Sequence, residues 1–132
     1  MEDKDYKASL LNSLLTPHDI NLITEEAFKV ANKDRNGDID IEEFEYCMEN
    51  VSESFGLSHP QKENVAKEFE RLDTNKNGSI DIDEFKIYVK EIIDQILFRW
   101  EKRNNMNFFK GYKNVCIIRI IKIFKNEYYV YN

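Results

Sequence analysis

Apolar residues recur at helical spacing along most of this 132-residue chain, and polar clusters cut the pattern into helix-length pieces. Tyr6, Leu10, Leu11, Leu14 and Leu15 make a first short amphipathic stretch over residues 5–15. Thr16-Pro17 is a helix start, with Thr16 as cap and Pro17 in the first turn, where a missing N–H does no harm. The helix it opens should run from 17 to about 31, with Ile20, Ile23, Ala27 and Ala31 on one stripe and Phe28 beside it. A second, about 41–54, turns Phe44, Cys47, Met48 and Val51 inward, and Phe55-Gly56-Leu57 breaks it. Ser58-His59-Pro60 opens a third, which carries Val65, Phe69 and Leu72. The next starts near Ile82 and keeps Phe85, Tyr88, Val89, Ile92, Ile93, Ile96, Leu97 and Trp100 on one face. That face lasts about five turns at 3.6 residues each. Its extra turns either pack on the N-terminal helix or the tail, or offer Ile96, Leu97 and Trp100 to a partner. Packing is the commoner use of such a stripe.

Between these helices lie two twelve-residue stretches with oxygen side chains at alternate positions, glycine at the sixth and glutamate at the twelfth. The first, residues 32–43, places Asn32, Asp34 and Asn36 at positions one, three and five, Asp38 at seven, Asp40 at nine and Glu43 at twelve. The second, residues 73–84, places Asp73, Asn75, Asn77, Ser79, Asp81 and Glu84 at the same positions. Calcium is a hard cation that takes six to eight oxygens in a flexible cage. A short loop supplies them only by turning sharply while alternate side chains point inward. Gly37 and Gly78 provide the turn. Position seven offers a backbone carbonyl, position nine acts through water, and the final glutamate closes the cage with both oxygens. Asp40 with Glu43, and Asp81 with Glu84, also have capping-box spacing. Capping alone does not ask for the glycine or for the oxygen ligands ahead of it, and the two roles are compatible.

On these loops and their flanks the chain resembles the EF-hand calcium-binding superfamily, the calmodulin-like proteins. Phe28 and Phe69 lie four residues before each loop, and Phe44 and Phe85 follow each final glutamate. The likeness covers about residues 17–100. It implies that Ile39 and Ile80, at position eight, pair across a short antiparallel bridge. It also implies two calcium sites. One departure is Asn32, where the family nearly always has aspartate. It removes a negative charge from the first cage, so the second site is expected to be the tighter.

Charge changes the picture at the C-terminal end. Residues 1–101 hold 24 acidic and 12 basic residues, whereas residues 102–132 hold one acidic and seven basic ones. A basic tail on an acidic body meets something negative: the body itself, a membrane surface or an acidic partner. Of these 31 tail residues, 23 are Lys, Asn, Ile, Phe or Tyr. Three readings stand. Arg119, Lys122 and Lys125 form one face of a basic amphipathic helix, covered elsewhere by Ile117, Ile118, Ile121 and Phe124. Or the β-branched and aromatic content makes strands that turn at Lys125-Asn126-Glu127. Or the composition, rich in residues that AT-rich codons encode, marks a segment without a selected role.

Cys47 and Cys116 are far apart, which speaks against a disulfide scaffold and for a reducing compartment. Cys47 reads as a small buried apolar residue. The start, Met1-Glu2-Asp3-Lys4, has no apolar signal stretch, so the cytoplasm is the expected location. His18 and His59 each neighbour a proline at a helix start and have no metal-ligand companion. No nucleophile motif or phosphate loop stands outside the calcium loops, so no enzyme is expected.

The expected fold is all-α: an N-terminal amphipathic helix within residues 1–16, paired EF-hands over 17–103, and a basic, apolar tail over 104–132. The expected function is reversible binding of calcium by two loops, as a sensor that exposes an apolar cleft to a target protein or peptide. Met48 is the only methionine within the hands, so the cleft is aromatic and aliphatic and its target range narrow. A calcium buffer, or a peripheral membrane or scaffold protein acting through its tail, is the alternative. Nothing points to nucleic acid.

Overall fold

The computed structural model describes residues 11–102 and 111–128. Its helices are α1 (Pro17–Ala31), α2 (Ile41–Ser54), α3 (Lys62–Leu72), α4 (Ile82–Lys102) and α5 (Lys113–Phe124). Residues 11–14 are also helical, and Leu11 and Leu15 are buried in the common core. Tyr6 and Leu10, expected in the same amphipathic stretch, lie outside the described residues. Extended pairing among the described residues is limited to one bridge, Ile39 with Ile80. The chain is all-α.

α1, α2 and α4 begin where a side chain satisfies free N–H groups, whereas α3 and α5 have no side-chain cap. At α1, Thr16 Oγ1 accepts from the Asp19 N–H at 3.1 Å while Asp19 Oδ2 accepts from the Thr16 N–H at 2.9 Å. Burial pushes the Asp19 carboxyl up. Hydrogen bonds from Lys113 and Thr16 outweigh that and hold it below the ordinary range. Asp40 with Glu43 and Asp81 with Glu84 repeat this box at α2 and α4. α3 starts later than its sequence signal. Pro60 stands ahead of an extended cap at Gln61, and the segment runs back along α2, with His59 Nδ1 3.6 Å from Glu49 Oε2. α2 ends in a left-handed residue, Gly56 at φ 71°. There the Leu57 N–H bonds the Ser52 carbonyl at 2.8 Å.

The helices share one core. α1 packs on α4, and α2 on α3. Phe44 sits at its centre, with ring centroids 5.0 Å from Tyr88 and 6.1 Å from Phe69, both edge-on. Such aromatic pairs contribute about 1 kcal/mol each beyond their buried area. The expected inward residues of α1, α3 and α4 are buried, while Met48 of α2 is only partly so. Ile96, Leu97 and Trp100 belong to the core and are not a free docking face. Burial pushes the Cys47 thiol up to about 12.

The tail differs from two of its readings in detail. Residues 113–124 form a helix, so strands turning at residue 125 are not what the structure has. The covered face of α5 is Cys116, Ile117, Ile120, Ile123 and Phe124, whereas Ile118 is 52% exposed and Ile121 only partly buried. The helix is rolled relative to the expected face because its docking on α1 and α2 decides which isoleucines turn inward. Spacing within the segment leaves that choice open.

Candidate metal centre

The two loops are near copies in backbone as well as in sequence. Position four is left-handed in both, Arg35 at φ 58° and Lys76 at φ 59°, and position six follows, Gly37 at 97° and Gly78 at 85°. Repetition at one offset marks a shared turn, which Arg35 and Lys76 did not signal by residue type. Side chains at positions three and five then wind the loop. Asp34 Oδ1 accepts from the Asn36 N–H at 3.0 Å, and Asn36 Oδ1 from the Asp38 N–H at 3.0 Å. In the second loop Asn75 accepts from Asn77 at 3.2 Å and Asn77 from Ser79 at 3.1 Å.

The two final glutamates are buried and reach from the exit helix back to the loop entrance. Glu43 accepts from the Asp40 N–H at 3.0 Å and the Asp34 N–H at 3.1 Å. Glu84 accepts from the Asp81 N–H at 3.0 Å, the Thr74 N–H at 3.0 Å and the Thr74 hydroxyl at 3.1 Å. Carboxylate oxygens keep lone pairs beyond these bonds, so each glutamate has capacity for a cation. Thr74 escaped the sequence reading because position two of such a loop is not a ligand position.

The loops are held in register by the bridge, with N–H to carbonyl distances of 2.8 Å both ways between the buried Ile39 and Ile80. A second link is polar. Ser79 Oγ lies 3.3 Å from Asp38 Oδ2, so position seven of one loop touches position seven of the other.

Position one is where they part. Asp73 Oδ2 accepts from the Gly78 N–H at 2.8 Å, and its Oδ1 from the Asn77 N–H at 3.2 Å. The hydrogen-bond network turns the Asn32 amide so that its oxygen faces the Gly37 N–H at 3.3 Å. Its NH2 then points into the loop, 3.2 Å from both Asp34 Oδ1 and the Asp38 carbonyl.

Among the described residues, Asp34, Asp40 and Glu43 form a tight group of carboxylates, with one oxygen of each within 4.8 Å of the others. Calcium holds oxygens at 2.3–2.6 Å, so ligands on opposite sides of one ion stand about 4.8 Å apart. Oxygen-only donors at that spread suit a hard cation.

A family model described as an EF-hand domain pair matches residues 24–90. The chain belongs to this family. The match takes in both loops, the bridge and the helices between them. EF-hand pairs bind calcium, and that general function comes with membership. Comparison with curated proteins finds no match. His18 and His59 are exposed.

Proposed function

We propose that this EF-hand pair binds two calcium ions reversibly, in the cytoplasm, and serves as a sensor rather than as an enzyme. The ligands are Asn32, Asp34, Asn36, the Asp38 carbonyl, Asp40 and Glu43 in the first loop. In the second they are Asp73, Asn75, Asn77, the Ser79 carbonyl, Asp81 and Glu84. The observation that carries this reading is the convergence of Asp34, Asp40 and Glu43 in a loop whose backbone is repeated in the other.

The second site is the tighter in this proposal. A carboxylate at position one holds the glycine N–H and still presents lone pairs to the ion. The Asn32 amide is neutral and has a single acceptor oxygen for both tasks, since its NH2 is a donor. Against this, the carboxylates of the first loop are the better gathered. Holding a side-chain torsion about 30° off its rotamer to gather a ligand costs about 1 kcal/mol. A unit charge lost 4 Å from another is worth about 4 kcal/mol at an effective dielectric of 20, and calcium carries two. Charge decides the order.

Sensing is supported by the position of the loops. Ile39 and Ile80 join them directly, and each loop leads into a helix that shares the core. In sensor EF-hands, metal binding changes the angle between such helices. Calorimetric titration of the whole chain with calcium, magnesium absent, tests the reading. Two binding phases are expected, and a flat titration would refute it.

A further inference from the structure

One face of the first hand is covered by the chain's own C-terminal helix. α5 lies across α1 and α2, the two helices that flank the first loop. Its covered side is apolar, and Ile120 and Ile123 are wholly buried. Lys122 and Lys125 stand exposed on its other side. Polar contacts hold both ends. Lys113 Nζ lies 2.6 Å from Asp19 Oδ2 at the start of α1. At the far end Asn50 Nδ2 donates to the Phe124 carbonyl at 3.3 Å, and Ser54 Oγ lies 2.9 Å from the Ile123 carbonyl.

Asn50 and Ser54 are the telling residues. They belong to α2 and are 6% and 0% exposed. A polar side chain buried in an apolar face is costly unless bonded. The last carbonyls of a helix, in turn, have no partner within it. Each need answers the other, and only one direction of the incoming helix achieves it. Ser54 has a fallback in the Asn50 carbonyl, 3.0 Å away. The Asn50 amide therefore carries more of the directional preference. α5 closes this end with a complete C-terminal motif. Asn126 is left-handed at φ 60°, its N–H bonds the Ile123 carbonyl at 3.1 Å, and the Glu127 N–H bonds the Lys122 carbonyl at 2.8 Å. Asn126 also donates to Glu53.

We propose that Asn50 and Ser54 make this face of the first hand selective for the direction of the helix seated on it, by meeting that helix's last carbonyls, and that a partner protein's amphipathic helix with a cationic outer side displaces α5 only when it ends there in the same C-terminal turn. The cationic preference follows from the rim, where Asp19 holds Lys113 and the body is rich in acid. The receptor itself is independent of the ions, but its control by calcium rests on the sensor reading. α5 touches both helices beside the first loop, so a change in their angle alters its seat. By linkage, α5 and first-loop calcium then change each other's affinity by one factor.

The test uses the whole chain and a fluorescent peptide of residues 111–128 carrying Cys116→Ser, followed by anisotropy. A tethered helix acts at an effective concentration in the mM range, so the parent should bind the peptide weakly. Ile120→Asp, which puts a charge at a fully buried position, should raise apparent affinity at least about tenfold. Lys113→Glu, milder for folding, should raise it about threefold or more by setting two carboxylates together. Adding Asn50→Ala and Ser54→Ala to either variant should lower it again by about tenfold. A peptide ending at Ile121, without the final turn, should bind each single variant no better than the triple variant made from it. The proposal is overturned if neither Ile120→Asp nor Lys113→Glu strengthens peptide binding, or if the alanines change nothing. It is equally overturned if Ile120→Asp binds phosphatidylserine vesicles and not the peptide. Each titration is run in calcium and in chelator, beside calorimetry of the same protein. Equal peptide binding in both supports the receptor and removes calcium control. Lost calcium binding with intact peptide binding refutes the sensor reading alone.

Discussion

Asn32 and Asp73 occupy the same place in two loops and steady the same glycine N–H, yet they leave different atoms facing the ion. Asn32→Asp should therefore raise the affinity of the first loop, by about tenfold or more given the charge gained beside a divalent cation. Calorimetry checks it, and an unchanged titration would mean that position one is not limiting. Glu84→Gln should abolish the tighter phase, while Glu43→Gln should affect only the weaker one. The opposite pattern would reverse the ranking of the sites. A different carboxylate contributes to acid sensitivity. Asp19 is held below its ordinary 3.8 in the folded chain. Its contribution is present above about 3.8 and is lost as pH falls through the lower folded value. Asp19→Asn should thus be less stable than the parent at about pH 6, with the gap closing towards about pH 2. Urea unfolding at the two pH values measures this, and a gap that widens in acid would contradict it.

At the level of elements, helices α1 to α4 were legible because each joins an apolar stripe to a recognisable end. Thr16-Pro17, Asp40 with Glu43, and Asp81 with Glu84 mark starts that the structure uses. The start of α3 was misplaced because Pro60 imitates a first-turn proline while serving an extended lead-in. The loops were legible as ligand spacings, but the Asn32 amide's orientation was not, since it depends on neighbours in space. α5 was ambiguous for a deeper reason. Its β-branched residues suit strands in isolation, and packing on α1 and α2 overrides that preference. Asn50 and Ser54 did leave a trace in the sequence: two polar residues four apart, interrupting the inward stripe of α2. The end of α2 offers a clean check of backbone chemistry. A Cβ at Gly56 would meet nothing within 4 Å, so Gly56→Ala should suffer only the left-handed φ of 71°. The expected loss is about 1–2 kcal/mol, read from denaturant unfolding. A loss near zero would mean that the turn relaxes.

For the molecule as a whole, calcium should act as a folding ligand, since an EF-hand pair binds it in the folded state. The chain carries a formal net charge of -6, concentrated as acid in residues 1–101, and the loops hold much of that acid. Ions bound only by the folded state stabilise it by mass action, by about 2.7 kcal/mol per site at one hundred times the dissociation constant. The melting temperature should therefore rise in saturating calcium and fall back in chelator. A melting temperature indifferent to calcium would exclude functional loops. Because α5 shares the core with Leu11, Leu15 and the four hand helices, its contribution should melt with theirs when it is seated.

Cys47 and Cys116 give this architecture a chemical time base. Both thiols are buried, one in α2 and one on the covered side of α5. Burial raises both above the ordinary thiol range, with Arg119 partly offsetting it at Cys116. Only a thiolate attacks an alkylating reagent, so each is protected by scarcity of the anion as well as by cover. Lifting α5 removes the cover from Cys116 and leaves Cys47 within the hands. The two alkylation rates then report different events, one the departure of a single helix and the other the opening of the hands themselves.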